Sequence, residues 1–244
     1  MLQQILKIIR VNYKKFKIKR QRKALAKKYN QHAFPQTLDW NWKQTNFNRI
    51  AAVNSLASQF ENPRYLEIGC FKNELFDSVP ITNKVGVDPV KGGTLQMTSD
   101  EFFRSNPDKF DIIFIDGLHT YDQVRRDVVN SINYLQEGGI IALHDMLPQG
   151  WKEQHVPRLK KAWNGDVWKV AFELSNTAGI DFKIVKIDSG VGVFRITDQF
   201  DELIDRRAEL TDKQFDYFYN KLNKLPLIDW NEFIAWARSN TKAR

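Results

Sequence analysis

Short, largely apolar runs recur through the middle of the chain, each ending on a glycine or an acid, with amphipathic stretches between them. Tyr65–Ile68 stops at Gly69, Val85–Val87 at Asp88, Phe110–Ile115 at Asp116, and Ile140–Leu143 leads into His144-Asp145. Runs this brief and apolar read as strands buried on both faces of a parallel sheet. A further strand is expected over Thr94–Thr98, and Phe182–Ile187 with Val191–Ile196 reads as a hairpin turned by Asp188-Ser189-Gly190. The intervening stretches predict helices. One lies between the first two strands, and one runs through Phe102 and Phe103. Another presents Tyr121, Val124, Val128, Ile132 and Leu135 on one face, starts with the capping-box spacing of Thr120 and Gln123, and is closed by Gly138-Gly139. Phe47, Ile50, Val53, Ala57 and Phe60 predict a helix leading into the first strand, and the tail is helical in pattern around Phe215, Phe218, Trp230 and Phe233. Strands alternating with helices give an α/β fold: a mostly parallel sheet with a C-terminal antiparallel hairpin and helices on both faces.

The ends differ from this middle. Over residues 1–30, Leu2, Ile5, Leu6, Ile9, Tyr13 and Phe16 fall at helical spacing and Lys or Arg fills most gaps. The formal net charge is +8, but residues 1–38 hold eleven of the 37 basic residues and no acid, leaving 26 basic against 29 acidic residues elsewhere. The basicity therefore belongs to the arm. A basic amphipathic helix suits an anionic membrane surface or a partner groove, and equally a solvated helix packed on the body or on a second subunit of a homo-oligomer. Nucleic acid carries less weight, because no basic stripe continues past the arm. Residues 31–38, with Pro35, read as a linker. The expected division is an arm over 1–38, a main domain over 39–197 and a helical extension over 198–244. No apolar run reaches the eighteen residues of a membrane span, and no signal peptide is recognisable. A single cysteine, Cys70, excludes an internal disulfide and fits a cytoplasmic protein, with the arm at the inner membrane surface as one option.

The first strand, its glycine, and an acid about twenty residues on make up the first half of a nucleotide-binding unit. Gly69 lets a ligand approach the backbone, and Asp88 at the next strand tip can accept from two ribose hydroxyls. An ordinary tight turn is the alternative.

Three stretches resemble the class I S-adenosylmethionine-dependent methyltransferases over roughly residues 45–197: LEIGC at 66–70, VGVD at 85–88, and FIDGLHTY at 114–121 with GGIIALHD at 138–145. The last pair resembles the metal-dependent O-methyltransferases that act on sugars of macrolides and other glycosides. Asn73 stands where the family loop has another glycine, Met146 where catechol-type enzymes have asparagine, and His144 where the macrolide-sugar enzymes have an acid. The resemblance implies a Rossmann-like class I methyltransferase sheet. It further implies S-adenosylmethionine held by Glu67, Gly69, Cys70, Asp88 and Asp116, with Ser99 and Asp100 either at the adenine end or capping a helix. Asp116 and Asp145 at neighbouring strand tips make an oxygen-rich site suited to Mg²⁺ or another divalent cation, unless they cap helices instead. His144 either joins them as a ligand for a softer metal or orients Asp145. His119, three residues after Asp116, is the candidate general base. Trp151, Trp163 and Trp168 read as core, with one of them stacking on a sugar ring as the other option. The implied reaction is methyl transfer to a hydroxyl of a sugar or glycan precursor. The rivals are a phenolic or other small-molecule acceptor and a non-catalytic cofactor-binding interaction module.

Overall fold

The computed structural model describes residues 2–105 and 108–239. Helix α1 (Leu2–Lys28) is followed by a loop with two 3-10 turns, Asn30–His32 and Trp42–Gln44, and then α2 (Arg49–Ala57), capped by Asn48, whose side chain accepts from Ile50 N at 3.0 Å and Ala51 N at 3.3 Å. Strand β1 (Tyr65–Ile68), β2 (Lys84–Val87), α3 (Ser99–Ser105), β3 (Phe110–Ile115), α4 (Tyr121–Asn133) and β4 (Leu135–Leu143) form the alternating centre. There follow α5 (Trp151–Gln154), α6 (Trp168–Leu174), β5 (Ile180–Val185), β6 (Val191–Ile196), α7 (Arg207–Leu210), α8 (Phe215–Lys221), β7 (Leu227–Ile228) and α9 (Trp230–Arg238). The sheet order is β2-β1-β3-β4-β6-β5-β7, with β6 antiparallel to both of its neighbours and the remaining pairs parallel.

Alternation along each strand sends residues to two apolar layers. Leu66, Ile68, Ile113, Ile115 and Ile141 meet α3, α4, α6 and α8 on one face. Tyr65, Ile112, Phe114, Ile140 and Val193 meet α2 and α9 on the other. The tail serves both faces, with Phe215 and Phe218 in one layer and Phe233 and Trp236 in the other. Helix α9 begins with a capping box between Asp229 and Glu232.

Several sequence expectations are corrected. Between β1 and β2 there is no α-helix, only the 3-10 turn Phe76–Ser78. Phe71 and Asn73 take left-handed backbone at φ 46° and 63°, and Leu75, Phe76, Val79 and Ile81 are buried as a plug, which a regular helix ended by Pro80 would not permit. The strand expected at 94–98 is a single bridge from Val87 to Leu95, because Gly92 and Gly93 turn the chain at φ 84° and 68° just before it. Gly138-Gly139 lies inside β4, where the pairing with β3 is irregular between Phe110 and Ile112, and α4 already stops at Asn133. The upstream helix spans only Arg49–Ala57, so Phe47 and Phe60 lie outside it. The linker is held down, with Leu38 N donating to the Gln149 carbonyl at 2.9 Å and the Phe34 ring 5.4 Å from that of Tyr219. Thr120 does not cap α4 through its side chain. Asp166 accepts from Tyr121 N at 2.7 Å instead. The short strand β7 was not foreseen.

Among the described residues no helix is long and apolar enough to cross a membrane. On α1 the side chains of Leu6, Ile9, Tyr13 and Phe16 are exposed; those of Leu2 and Ile5, and residues 240–244 of the tail, lie outside the described set.

Candidate active site and the methyltransferase domain

The carboxyl ends of β1, β2, β3 and β4 open onto one cavity of about 710 Å³. At one end stands β1. Gly69 has φ +92°, and a Cβ there would overlap the Asp116 carbonyl and lie 2.7 Å from Gly117 Cα, so the turn admits glycine alone. Glu67 is buried and accepts from the Tyr65 hydroxyl at 2.6 Å. Burial, outweighing that hydrogen bond, pushes its pKa up to about 7. The Cys70 thiol is buried and its pKa raised by that burial and by Glu67, which makes it a wall rather than a nucleophile. Asp88 organises the rim: Oδ2 accepts from Phe71 N at 2.8 Å, and Oδ1 from Val90 N at 2.8 Å and Lys91 N at 2.9 Å. Oδ1 is filled by those two donors, and the second lone pair of Oδ2 remains for a ligand hydroxyl.

Ser99 and Asp100, at the start of α3, also line the cavity, but the Ser99 hydroxyl is given to Asp127 at 2.6 Å. Gln123, one turn into α4, bonds Ser99, Asp100 and Asp127 at 3.0–3.3 Å. Asp127 is fully buried, its Oδ2 has no partner, and burial, against the hydrogen bonds of Ser99 and Gln123, pushes its pKa up to about 6.

At the other end, Asp116, His144 and Asp145 each offer a ligand atom within 4.8 Å of the others. His144 Nε2 donates to the Asp188 carbonyl at 2.7 Å, which turns Nδ1 toward Asp116 Oδ1 at 3.3 Å and Asp145 Oδ1 at 3.7 Å. Asp145 has φ +64°, a left-handed conformation that aspartate tolerates better than most residues, and Asn164 Nδ2 donates to its Oδ1 at 3.0 Å. His119 bridges the two acids, with Nδ1 2.9 Å from Asp145 Oδ2 and Nε2 3.3 Å from Asp116 Oδ1. Burial opposes the charge on both rings, yet the adjoining carboxylates prevail. His119 rises to about 10, His144 is held well above its ordinary range, and Asp116 is driven down. The two carboxylates thus favour the protonated form of His119.

Three contributors were not assigned to the site from the sequence, and a fourth, Trp163, was read as core or as a ring for stacking. Arg49 on α2 pairs with Asp188 at 2.9 Å and reaches within 4.0 Å of Asp116. Asp188, read only as a turn residue, anchors His144. Asn164 orients Asp145. Trp163 stacks on His119 with ring centres 5.2 Å apart and planes at 14°. The Asn164-Gly165 pair was a visible turn signal, but nothing local linked it to a strand tip nineteen residues away. Trp168 is core and Trp151 half-buried, so of the three tryptophans named only Trp163 reaches the cavity.

Residues 66–146 match the family model described as a methyltransferase domain. This stretch is a methyltransferase domain. It spans every strand tip of the cavity, from Glu67 on β1 to Asp145 after β4, and the sheet around it has the Rossmann-like class I arrangement that the sequence predicted. The chain is also 27% identical over 141 residues to an uncharacterised protein of Acanthamoeba polyphaga mimivirus, an alignment spanning 45% of this chain and 64% of that one. Among solved structures it is similar to the methyltransferase PaMTH1 of Podospora anserina bound to SAH, at 18% identity and a TM-score of 0.45, covering 67% of this chain and 90% of that one. It is also similar to MycE methyltransferase of the mycinamycin biosynthetic pathway, in complex with Mg and SAH, at 16% identity and a TM-score of 0.36, covering 56% and 46%.

Proposed function

We propose that the methyltransferase domain transfers a methyl group from S-adenosylmethionine to a hydroxyl of a sugar or glycan precursor, with a divalent cation at Asp116, Asp145 and His144. The observation that carries this reading is that one cavity joins the Glu67, Gly69 and Asp88 end to the cluster of Asp116, His119, His144 and Asp145. Glu67 and the Gly69 turn would hold the methionine part of the cofactor, Asp88 the ribose, and Ser99, Asp100 and Gln123 the adenine end.

The cluster fits a cation. Its acids converge, and the Asp188 carbonyl fixes the His144 tautomer whose Nδ1 faces both of them. Two carboxylates and an imidazole suit Mn²⁺ or Zn²⁺ as well as Mg²⁺. A cation bound there supplies Lewis-acid lowering of the acceptor hydroxyl's pKa. The chain's own residues do the rest. Holding the two reactants in line contributes about 7–11 kcal/mol. His119 takes the hydroxyl proton at the ring nitrogen not engaged by Asp145, a role open to it once the carboxylates are otherwise compensated. Trp163 fixes the plane of that ring.

Titration calorimetry with S-adenosylmethionine, with and without Mg²⁺ or Mn²⁺, followed by an acceptor screen with methyl-labelled cofactor, tests this. Cofactor binding with transfer to sugars supports it; transfer only to phenols, or binding without transfer to any hydroxyl, refutes it. The α1 arm is assigned to an anionic bilayer surface: eleven cations with no acid flank the exposed Leu6, Ile9, Tyr13 and Phe16.

A further inference from the structure

Charge is balanced differently at the floor and at the rim of the cavity. On the floor Arg49 is committed to Asp188, and two imidazoles lie on the carboxylates. At the rim Lys72 and Arg158 line the same cavity, and among the described residues neither has a carboxylate within 4.0 Å. Both residues are exposed, but they are not held alike. Lys72 is an exposed side chain on the loop after β1, with its ammonium 5.6 Å from the centre of the Phe71 ring. Arg158 is fixed: Nε donates to the Lys160 carbonyl at 3.1 Å, Nη2 donates to the Lys161 carbonyl, and the guanidinium carbon lies 5.4 Å from the centre of the Trp163 ring. Those contacts set the plane of the fork, and among the described residues Nη1 has no hydrogen bond. Trp163 is also the ring that stacks on His119, so the guanidinium stands at the acceptor end rather than at the cofactor end. Burial, and then the charge of Arg22 on α1, lower the Arg158 pKa, so a second cation is near, and the more distant Asp145 carboxylate opposes them only in part.

We propose that Arg158, backed by Trp163, binds an anionic group of the acceptor, a phosphate or a carboxylate, so that the substrate is an acidic or phosphorylated sugar rather than a neutral glycoside. A planar fork held in place matches the two oxygens of such a group, and its side-chain entropy is already spent. On the floor His119 and His144 already lie on Asp116 and Asp145, so the cation left to meet an anionic acceptor is the one at the rim, and it sets which hydroxyl points inward. This inference rests on the sugar O-methylation reading of the cavity.

The experiment titrates the full chain, saturated with S-adenosylhomocysteine, with glucose 1-phosphate, glucuronate and methyl glucoside. One or both anionic sugars are expected to bind, at least tenfold tighter than methyl glucoside. Glucose 1-phosphate alone identifies a phosphate site, and glucuronate a carboxylate site. Arg158→Gln should weaken the anionic sugar about tenfold or more, with Arg158→Lys in between and S-adenosylhomocysteine affinity unchanged. Lys14→Gln/Lys15→Gln on the arm should leave sugar binding as it was. Equal binding of neutral and anionic sugars, no sugar binding at all, indifference to Arg158→Gln, or an equal loss in the arm variant each overturns the proposal. Failure of the wild-type chain to bind S-adenosylhomocysteine instead refutes the methyltransferase reading beneath it.

Discussion

The carboxyl of Glu67 should cost the protein stability whenever it is ionised. It is 2% exposed on the middle of β1, and its hydrogen bond from Tyr65 does not make up for the water it has lost. Its folded pKa is about 7 against an ordinary 4.5. The folded state thus holds the proton more tightly than the unfolded chain, so this group's contribution is fully present below about pH 4.5 and is lost as pH rises through 7. At about 1.4 kcal/mol per unit, the stability difference between wild type and Glu67→Gln should move by roughly 2.5 kcal/mol between pH 5 and pH 8, in favour of the variant. The glutamine keeps an oxygen for the Tyr65 hydroxyl and carries no charge at either pH. Urea unfolding of both proteins across that range measures the difference directly. Parallel curves, or a difference that moves in favour of wild type as pH rises, would refute the reasoning. A buried acid retained at this cost is explained if a cationic ligand offsets it, so cofactor affinity should rise with pH through 7 and should lose that dependence in Glu67→Gln.

Gly69→Ala should destabilise by about 1–2 kcal/mol for the left-handed backbone, with about 1–3 more for the overlap with Asp116. Because that overlap moves Asp116, cofactor and cation binding should fall together, as thermal unfolding and calorimetry would show. Asp116→Asn and Asp145→Asn should each weaken Mn²⁺ binding by more than the roughly 10- to 100-fold that loss of an outer partner costs. Calorimetric affinities like wild type would remove the cation from the reading. Asp127→Asn should gain stability above pH 7, because the acid's folded pKa of about 6 exceeds its ordinary 3.8 and the favourable protonated state is lost as pH rises through 6; unfolding curves flat in pH would contradict this. The chain should co-sediment with vesicles containing phosphatidylserine but not with pure phosphatidylcholine, less so as salt rises. Exchange of Lys14, Lys15 and Lys17 for glutamine should release it. Equal pelleting with both lipids, or a dimer that buries α1 in solution, would assign the arm elsewhere.

The strand tips were legible because each strand is short, apolar and closed by a residue that cannot continue it. That rule places Gly69, Asp88, Asp116 and Asp145 at one edge of the sheet. His119 and His144 were equally readable, since each lies within three residues of a tip. The groups that set their protonation were not. Arg49 and Asp188 are 139 residues apart in sequence and meet only through the packing of α2 against the turn between β5 and β6. Trp163 looked like core because an indole in a loop gives no local sign of what it faces. The missing helix after β1 shows the other limit. Leu75, Phe76, Val79 and Ile81 have near-helical spacing, but the left-handed residues before them and Pro80 decide the backbone, and the apolar set is buried without a helix.

The tail's attachment bears on how this chain is made. Its last third contributes rings to both apolar layers, and β7 joins the sheet edge only through Leu227 and Ile228. While the ribosome still holds those residues, β1, β3 and β4 have one side roofed by α4 and the opposite side without α9. The nascent domain therefore waits with an uncovered greasy surface until α9 has been made. A stop codon after residue 198, although it spares every residue of the cavity, should yield insoluble protein rather than a smaller enzyme.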